Sequence, residues 1–235
     1  MNKIFIGNKD TNEDLCLEDN TIIVFDSCNK DLVLKTNKDI KVFILTLFSN
    51  MGLSYETNNN TEVNVLSINS SIKFDISLMK DNITFNYFYS NINNSDNSYD
   101  IDIKHLGNNI VSVITNHGIN TTNSKLTYTI NTIVPKKYTG INTSQDSKII
   151  VLDDNNATIK PNLLIDNDDI EASHAAYIGR FKEEDIFYLM TRGLSREDAT
   201  DLLVRSFLIG NMNLSVEEKE IVLDNIKKHW RWLYE

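Results

Sequence analysis

Asp166, Asp168 and Asp169 fall within four residues, and clustered carboxylates are what calcium binding or acid–base cleavage of an acidic polysaccharide would require. Asn167 interrupts them, and the stretch reads as a loop rather than one face of a strand. The two cysteines, Cys16 and Cys28, have eleven residues between them and no second Cys or His pair at zinc-ligand spacing. They point to small buried side chains in a reducing compartment, not to a disulfide framework. No GxxxxGK[ST] loop, no nucleophile elbow and no HExxH helix occurs, so the usual signatures of phosphate, acyl and zinc chemistry are missing.

Charge narrows the partners further. The 235 residues carry a formal net charge of -10 and no run of Lys and Arg, which disfavours a nucleic acid. No apolar run approaches the roughly 20 residues that span a bilayer. Met1 to Gly7 hold one Lys and a short apolar run, unlike a signal peptide. A cytoplasmic protein with no membrane partner is expected.

The elements that would position any site are mostly strands. From Ile4 to about Ile178, short β-rich runs recur about every ten residues, among them 21–25, 32–34, 42–45, 63–68, 72–78, 83–89, 101–106, 110–114, 126–130, 149–152 and 163–165. Many alternate apolar and polar residues, the mark of a strand buried on one face. The segments 57–61 and Ser90 to Ser98 read as loops. Only 8 Gly and 2 Pro punctuate the chain, while Asn is abundant in the turns. Asn tolerates left-handed backbone and can stack from coil to coil in a solenoid, whereas hairpin sandwiches lean on Gly. No strict repeat is visible, and this pattern alone leaves solenoid and sandwich about even.

After Gly179 the period changes to that of helices. Acids open a helix at Glu183, and Gly193 follows its last turn. Ser195 with Asp198 and Ser215 with Glu218 predict caps for two more. Leu202, Leu203, Phe207 and Leu208 are expected to line one face of the second. Ile221, Val222, Asn225, Ile226, His229, Trp230 and Leu233 continue the third. A β domain over 1–179 and a helical domain over 180–235 are expected.

The order of features from about Asn131 to Phe207 resembles the SufB/SufD family of iron–sulfur cluster assembly scaffolds, and SufD more closely than SufB. Lys160-Pro161 precedes an alternating strand, Ser173-His174-Ala175-Ala176 and Gly179 follow, and then come Phe187-Tyr188-Leu189 and Arg192-Gly193. The resemblance implies a mainly β chain, a right-handed parallel β-helix with a C-terminal three-helix tail. It implies a scaffold and not an enzyme, holding at most a transient iron–sulfur cluster and no tightly bound cofactor. Implied partners are a SufC-type ABC ATPase, docked on the C-terminal helices, and a SufB-like subunit or a second copy, paired through the β-helix.

His174 stands at the family's histidine and is the implied metal ligand, since a neutral imidazole can bind iron where thiolate is missing. Glu171 is the nearby carboxylate that could assist. Phe187, Tyr188, Arg192 and Gly193 are the implied partner contacts, with Phe187 expected to seat its helix on the solenoid and Arg192 to favour the helix dipole. Trp230 and Trp232, two positions apart, cannot share one core face, so one is a candidate partner anchor. Three cysteine or glutamate positions of the family differ. Asp153-Asp154-Asn155-Asn156 replaces a cysteine-bearing stretch, and Ala172 and Ala175 flank the Ser-His pair. Thiolate ligation from this part of the chain is excluded. The chain is short for the family, with the N-terminal helical region expected to be absent and fewer coils in the β-helix.

Overall fold

A computed structural model describes residues 2–7, 14–121, 124–152, 156–210 and 212–230, with the side chain of Trp230 left aside. Leu233, Trp232 and Asp153 to Asn155 lie outside the described residues. Along the chain run β1 (Asn2–Gly7), β2 (Leu15–Leu17), β3 (Thr21–Asp26), β4 (Leu32–Thr36) and β5 (Ile40–Leu47). Next come β6 (Asn50–Thr57), β7 (Thr61–Ile68), β8 (Ser71–Leu78), β9 (Thr84–Asn93) and β10 (Asn97–His105). The last strands are β11 (Val111–Asn120), β12 (Lys125–Val134), β13 (Ile141–Val151), β14 (Asn156–Ile165) and β15 (Ile170–Gly179). Among the described residues three helices follow, α1 (Glu183–Thr191), α2 (Arg196–Ile209) and α3 (Val216–Trp230).

Odd strands form one eight-stranded sheet and even strands a seven-stranded sheet, each in sequence order and each pairing parallel. The chain therefore alternates between two sheets while advancing one strand per coil, as in a right-handed parallel β-helix. The solenoid alternative holds and the sandwich does not. Inward residues such as Ile44, Val65, Tyr87, Phe74 and Ile101 fill the space between the sheets.

The missing sequence repeat has a physical cause. Residues that bond across neighbouring coils are 21 apart near the start (Thr46 Oγ1 to Ser67 Oγ, 2.8 Å), 27 apart at Asn109 and Asn82, and 31 apart at Ser112 and Thr143. The coil widens along the chain, so no fixed period survives. Corners stack nevertheless. Ser27, Phe48 and Asn69 adopt positive φ at one corner, and Asn82, Asn109 and Gly140 at another. Asn109 Nδ2 donates to Asn82 Oδ1 at 3.2 Å, and a Cβ at Gly140 would lie 2.3 Å from Asn109 Oδ1. Asn fits these corners because it tolerates left-handed backbone and bonds its stacked neighbour.

The segment 90–98 is a correction. β9 runs on through Asn93 and β10 starts at Asn97, leaving only 94–96 as turn. Its polar side chains are satisfied in place: Ser90 Oγ donates to Leu208 O at 2.6 Å, and Asn93 Nδ2 to Asn120 Oδ1 at 2.9 Å. Segment 57–61 is the expected turn, joining β6 to β7.

α2 and α3 lie on the outer face of the odd-strand sheet. Phe43, Leu45, Leu66, Ile68, Ile92 and Ile119 point outward there and bury against Val204, Leu208, Val222 and Ile226. This is why β5 reads IKVFILTL, apolar on both faces. Each such side chain contributes about 2 kcal/mol on full burial, so the helices are integral to the fold. α2 buries Ala199, Val204 and Leu208, whereas Leu202 is exposed, against the expected face. The sheet selects the stripe centred on Val204, because those residues face it when the last turn is seated. That seating is polar: His117 donates Nδ1–H to Phe207 O at 2.7 Å and stacks on the Phe207 ring at 4.2 Å.

The predicted caps form. Ser195 Oγ accepts from Asp198 N at 3.0 Å. Around α3, Ser215 N donates to Glu218 Oε2 at 2.6 Å and Glu218 N to Ser215 Oγ at 3.3 Å. Glu218 is fully buried and also pairs with Lys41 Nζ at 3.3 Å, tying the start of α3 to β5. Lys41 keeps a second carboxylate, Glu62, at 3.3 Å, so removing Glu218 costs the cap and one ion pair without stranding a charge. Glu218→Ala is expected to lower stability by about 1–3 kcal/mol in urea titration, with α3 the first element to lose hydrogen-exchange protection. A change within 0.5 kcal/mol, the scale of an ordinary surface substitution, would contradict this anchoring role.

Candidate functional site at the wide end of the solenoid

The last coil is unlike the rest. β14 pairs only with β12 and β15 only with β13, leaving the other edge of each unpaired among the described residues. Pro161 sits in the middle of β14, a place that edge strands tolerate. Glu171 to Ile178 are all exposed, including Tyr177 at 50% and Ile178 at 44%. Such an open edge is a template for pairing with another chain.

Register fixes which way β15 points. Ala172, His174 and Ala176 stand over Thr143, Gln145 and Ser147, which are buried and face the interior. His174 therefore faces the solenoid interior at its open end. Glu171 stands over Asn142 on the opposite face, and Asn142 Nδ2 donates to Glu171 Oε2 at 2.7 Å. Three residues apart on a strand means opposite faces, so the structure does not bring His174 and Glu171 together. Among the described residues no group of three or more His, Cys, Asp and Glu is placed to hold a metal ion. Cys16 is exposed and Cys28 buried, both in the first coils. Cys28 follows β3, six strands before β15, or about 29 Å at the usual strand spacing. A metal at the wide end would meet nitrogen and oxygen from this chain, and thiolate only from another. Asp166, Asp168 and Asp169 lie in the exposed turn after β14, where Asn167 folds back onto Lys136 O and Tyr138 O at 2.9 and 2.8 Å.

Under His174 the interior turns polar, which the sequence did not reveal. Gln145 Nε2 donates to Thr132 Oγ1 at 2.5 Å, Asn116 Nδ2 to Ser147 Oγ at 3.0 Å, and Ser112 Oγ to Thr143 Oγ1 at 2.7 Å. His105, fully buried, completes the last chain: because the Ser112 proton goes to Thr143, His105 Nε2–H must donate to Ser112 Oγ, at 2.9 Å. The signal was available in β13, whose polar residues Thr143, Gln145 and Ser147 alternate in step.

The second candidate surface is helical. Phe187 is 67% and Tyr188 57% exposed, and Met190 in the same helix and Leu202 in α2 are also exposed. Phe187 does not seat α1; Ile186 is the residue buried there. Arg192 caps α1 and lies 5.2 Å over the Tyr188 ring, donating to its hydroxyl at 3.1 Å. Gly193 adopts φ +94 with open space around it, the left-handed stop that favours glycine.

Residues 48–207 match the family model described as SUF system FeS cluster assembly, SufBD core domain. The chain belongs to the SufBD family. Among curated relatives, the iron–sulfur cluster assembly protein SufD of Bacillus subtilis is 35% identical over 88 residues, 37% of this chain and 19% of that protein. SufB of the same organism is 32% identical over 106 residues, 44% of this chain and 23% of that protein. A SufBD family protein of Pyrococcus horikoshii is 54% identical over 48 residues, 20% of this chain and 11% of that protein. The chain thus spans less than a quarter of the length of each of these SufBD relatives.

Burial pushes the His105 imidazole down to about 4. Its neutral form is therefore part of the fold above the unfolded value near 6.5, and that contribution is lost as pH falls from 6.5 through 4. Between pH 7 and pH 4, wild type should lose about 3 kcal/mol more than His105→Gln in urea titrations. Parallel pH profiles would contradict the assignment.

Proposed function

We propose that this chain is a scaffold subunit of iron–sulfur cluster assembly, in which the cluster is cargo and the chain itself is not an enzyme. The observation that carries the reading is the bare last coil, with one histidine on an unpaired edge strand at the mouth of the solenoid. The widening of the coil supports pairing between like ends. A coil of about 30 residues cannot continue into one of about 20, so head-to-tail stacking would leave strands unmatched, whereas two wide ends match. The companion is a SufB-like subunit that brings the thiols, or a second copy of this chain. His174 supplies an imidazole nitrogen to iron at that junction. Glu171, facing outward, acts at the rim and not as a co-ligand.

Phe187 and Tyr188, with Met190 and Leu202, form the dock for a SufC-type ABC ATPase. Two exposed aromatics on one short helix suit a partner anchor, and α2 behind them is fixed to the sheet. Net charge of -10 gives no support to a nucleic-acid partner, and among the described residues no helix is long and apolar enough to cross a membrane. A cytoplasmic location goes with this reading.

Two measurements test it. Size exclusion with light scattering should show a stoichiometric complex with the ATPase from the same organism, weakened at least tenfold by Phe187→Asp with Tyr188→Asp. Anaerobic reconstitution of the paired scaffold should give a cluster absorption band that His174→Ala removes. Failure of both, with the chain folded, leaves only the inherited fold.

A further inference from the structure

The column beneath His174 contains an unmet hydrogen-bond acceptor. In register it reads Tyr87, Ile114, Gln145, His174 from coil to coil. Gln145 is 2% exposed. Its amide nitrogen is committed, donating to Thr132 Oγ1 at 2.5 Å and to Asn162 O at 3.4 Å. Its Oε1 is buried without a partner. A buried carbonyl oxygen left unpaired costs about 1–3 kcal/mol, so a donor within reach would be taken up. Below Gln145 lies Ile114, which has none to give. Above it, on the backbone one strand spacing away at about 4.8 Å, stands His174, whose exposed imidazole makes no hydrogen bond to Oε1 in this structure and reaches it by turning inward.

We propose that Gln145 is a positioning residue for His174, its Oε1 accepting the proton of one ring nitrogen and so leaving the other nitrogen's lone pair directed out of the solenoid mouth. Thr132 and Asn162 have a part in this: by holding Nε2 they fix the amide and leave Oε1 as its open end. A hydrogen bond on one imidazole nitrogen fixes the tautomer and ring orientation and raises the basicity of the other, which is what a metal-binding histidine requires. The inference rests on the scaffold reading for its purpose but not for its test, which needs no cluster and no partner.

The full chain has four histidines, so labelling them with ¹⁵N gives a spectrum of four rings, in which His174 is identified by its loss in His174→Gln. In the neutral ring of wild type, the two nitrogen resonances of His174 should be well separated, one protonated and one bare. Gln145→Leu should collapse the pair toward the average of two exchanging tautomers. Gln145→Glu, which keeps an acceptor at that distance, should restore the separation. Should Gln145→Leu fail to fold, Gln145→Asn serves, being too short to reach. An averaged ring in wild type, or one that ignores all of these substitutions, overturns the proposal. A fixed tautomer in a protein that never takes up a cluster would instead count against the scaffold reading alone.

Discussion

Parallel in-register pairing places each residue about 4.8 Å above its counterpart one coil earlier, and most of the molecule follows from that constraint. A side chain's neighbours are set by the column in which it stands. Apolar columns such as Ile44 and Val65 make the core, and left-handed corners repeat so that Asn can bond Asn. Polar columns are tolerable only where each member finds a partner within its own or an adjacent coil. Thr46 on Ser67, Asn116 on Ser147 and Ser112 on Thr143 meet that demand. A column must also end, and the last residue in it has nothing above. His174 holds that position.

The two ends of the solenoid differ because the coil widens. Toward the first coils the interior is mostly apolar and contains Cys28; toward the last, Gln145, Ser112, Ser147, Thr143 and Asn116 join the apolar residues. Water can satisfy such groups near an opening, and so can a partner, whereas an apolar interior would have to be covered. The helices meanwhile cover the outer face of one sheet, from β1, where Lys3 meets Glu217 of α3 at 2.6 Å, to the buried Ile150 of β13, and two unlike devices hold them. At α2 two side chains of the sheet, Ser90 and His117, bond carbonyls of the last turn. At α3 a buried carboxylate caps the helix and meets Lys41. α1 packs on α2, where Arg196 pairs with Glu183 at 2.6 Å, and presents Phe187 and Tyr188.

Much of this was legible in the residues. Alternation located the strands, the scarcity of Gly with plentiful Asn hinted at stacked corners, and the Ser-x-x-acid boxes placed the helix starts. What escaped notice did so for physical reasons. β13 carries polar residues on both faces from Asn142 to Lys148, so it shows no apolar alternation there although it is a strand. Ser90 to Asn93 looked like loop because a polar run has no obvious burial, yet its partners lie 27 and 118 residues away. Hydrophobicity alone favours Phe187 for the core, but Ile186 one position earlier takes the buried side of a helix with little apolar surface. The pairing of His174 with Glu171 failed on strand geometry, since an odd spacing divides the faces.

Cysteine cross-linking tests the central claim most directly, because it asks whether wide ends meet. In a Cys16→Ser background, Ser173→Cys on β15 and Phe5→Cys on β1 place thiols at opposite ends of the solenoid. With the companion subunit or a second copy present, oxidation should give a covalent pair through residue 173 and none through residue 5. Cross-links joining residue 5 of one chain to residue 173 of another would mean head-to-tail stacking, and no cross-link at 173 would mean that the bare coil is not the junction.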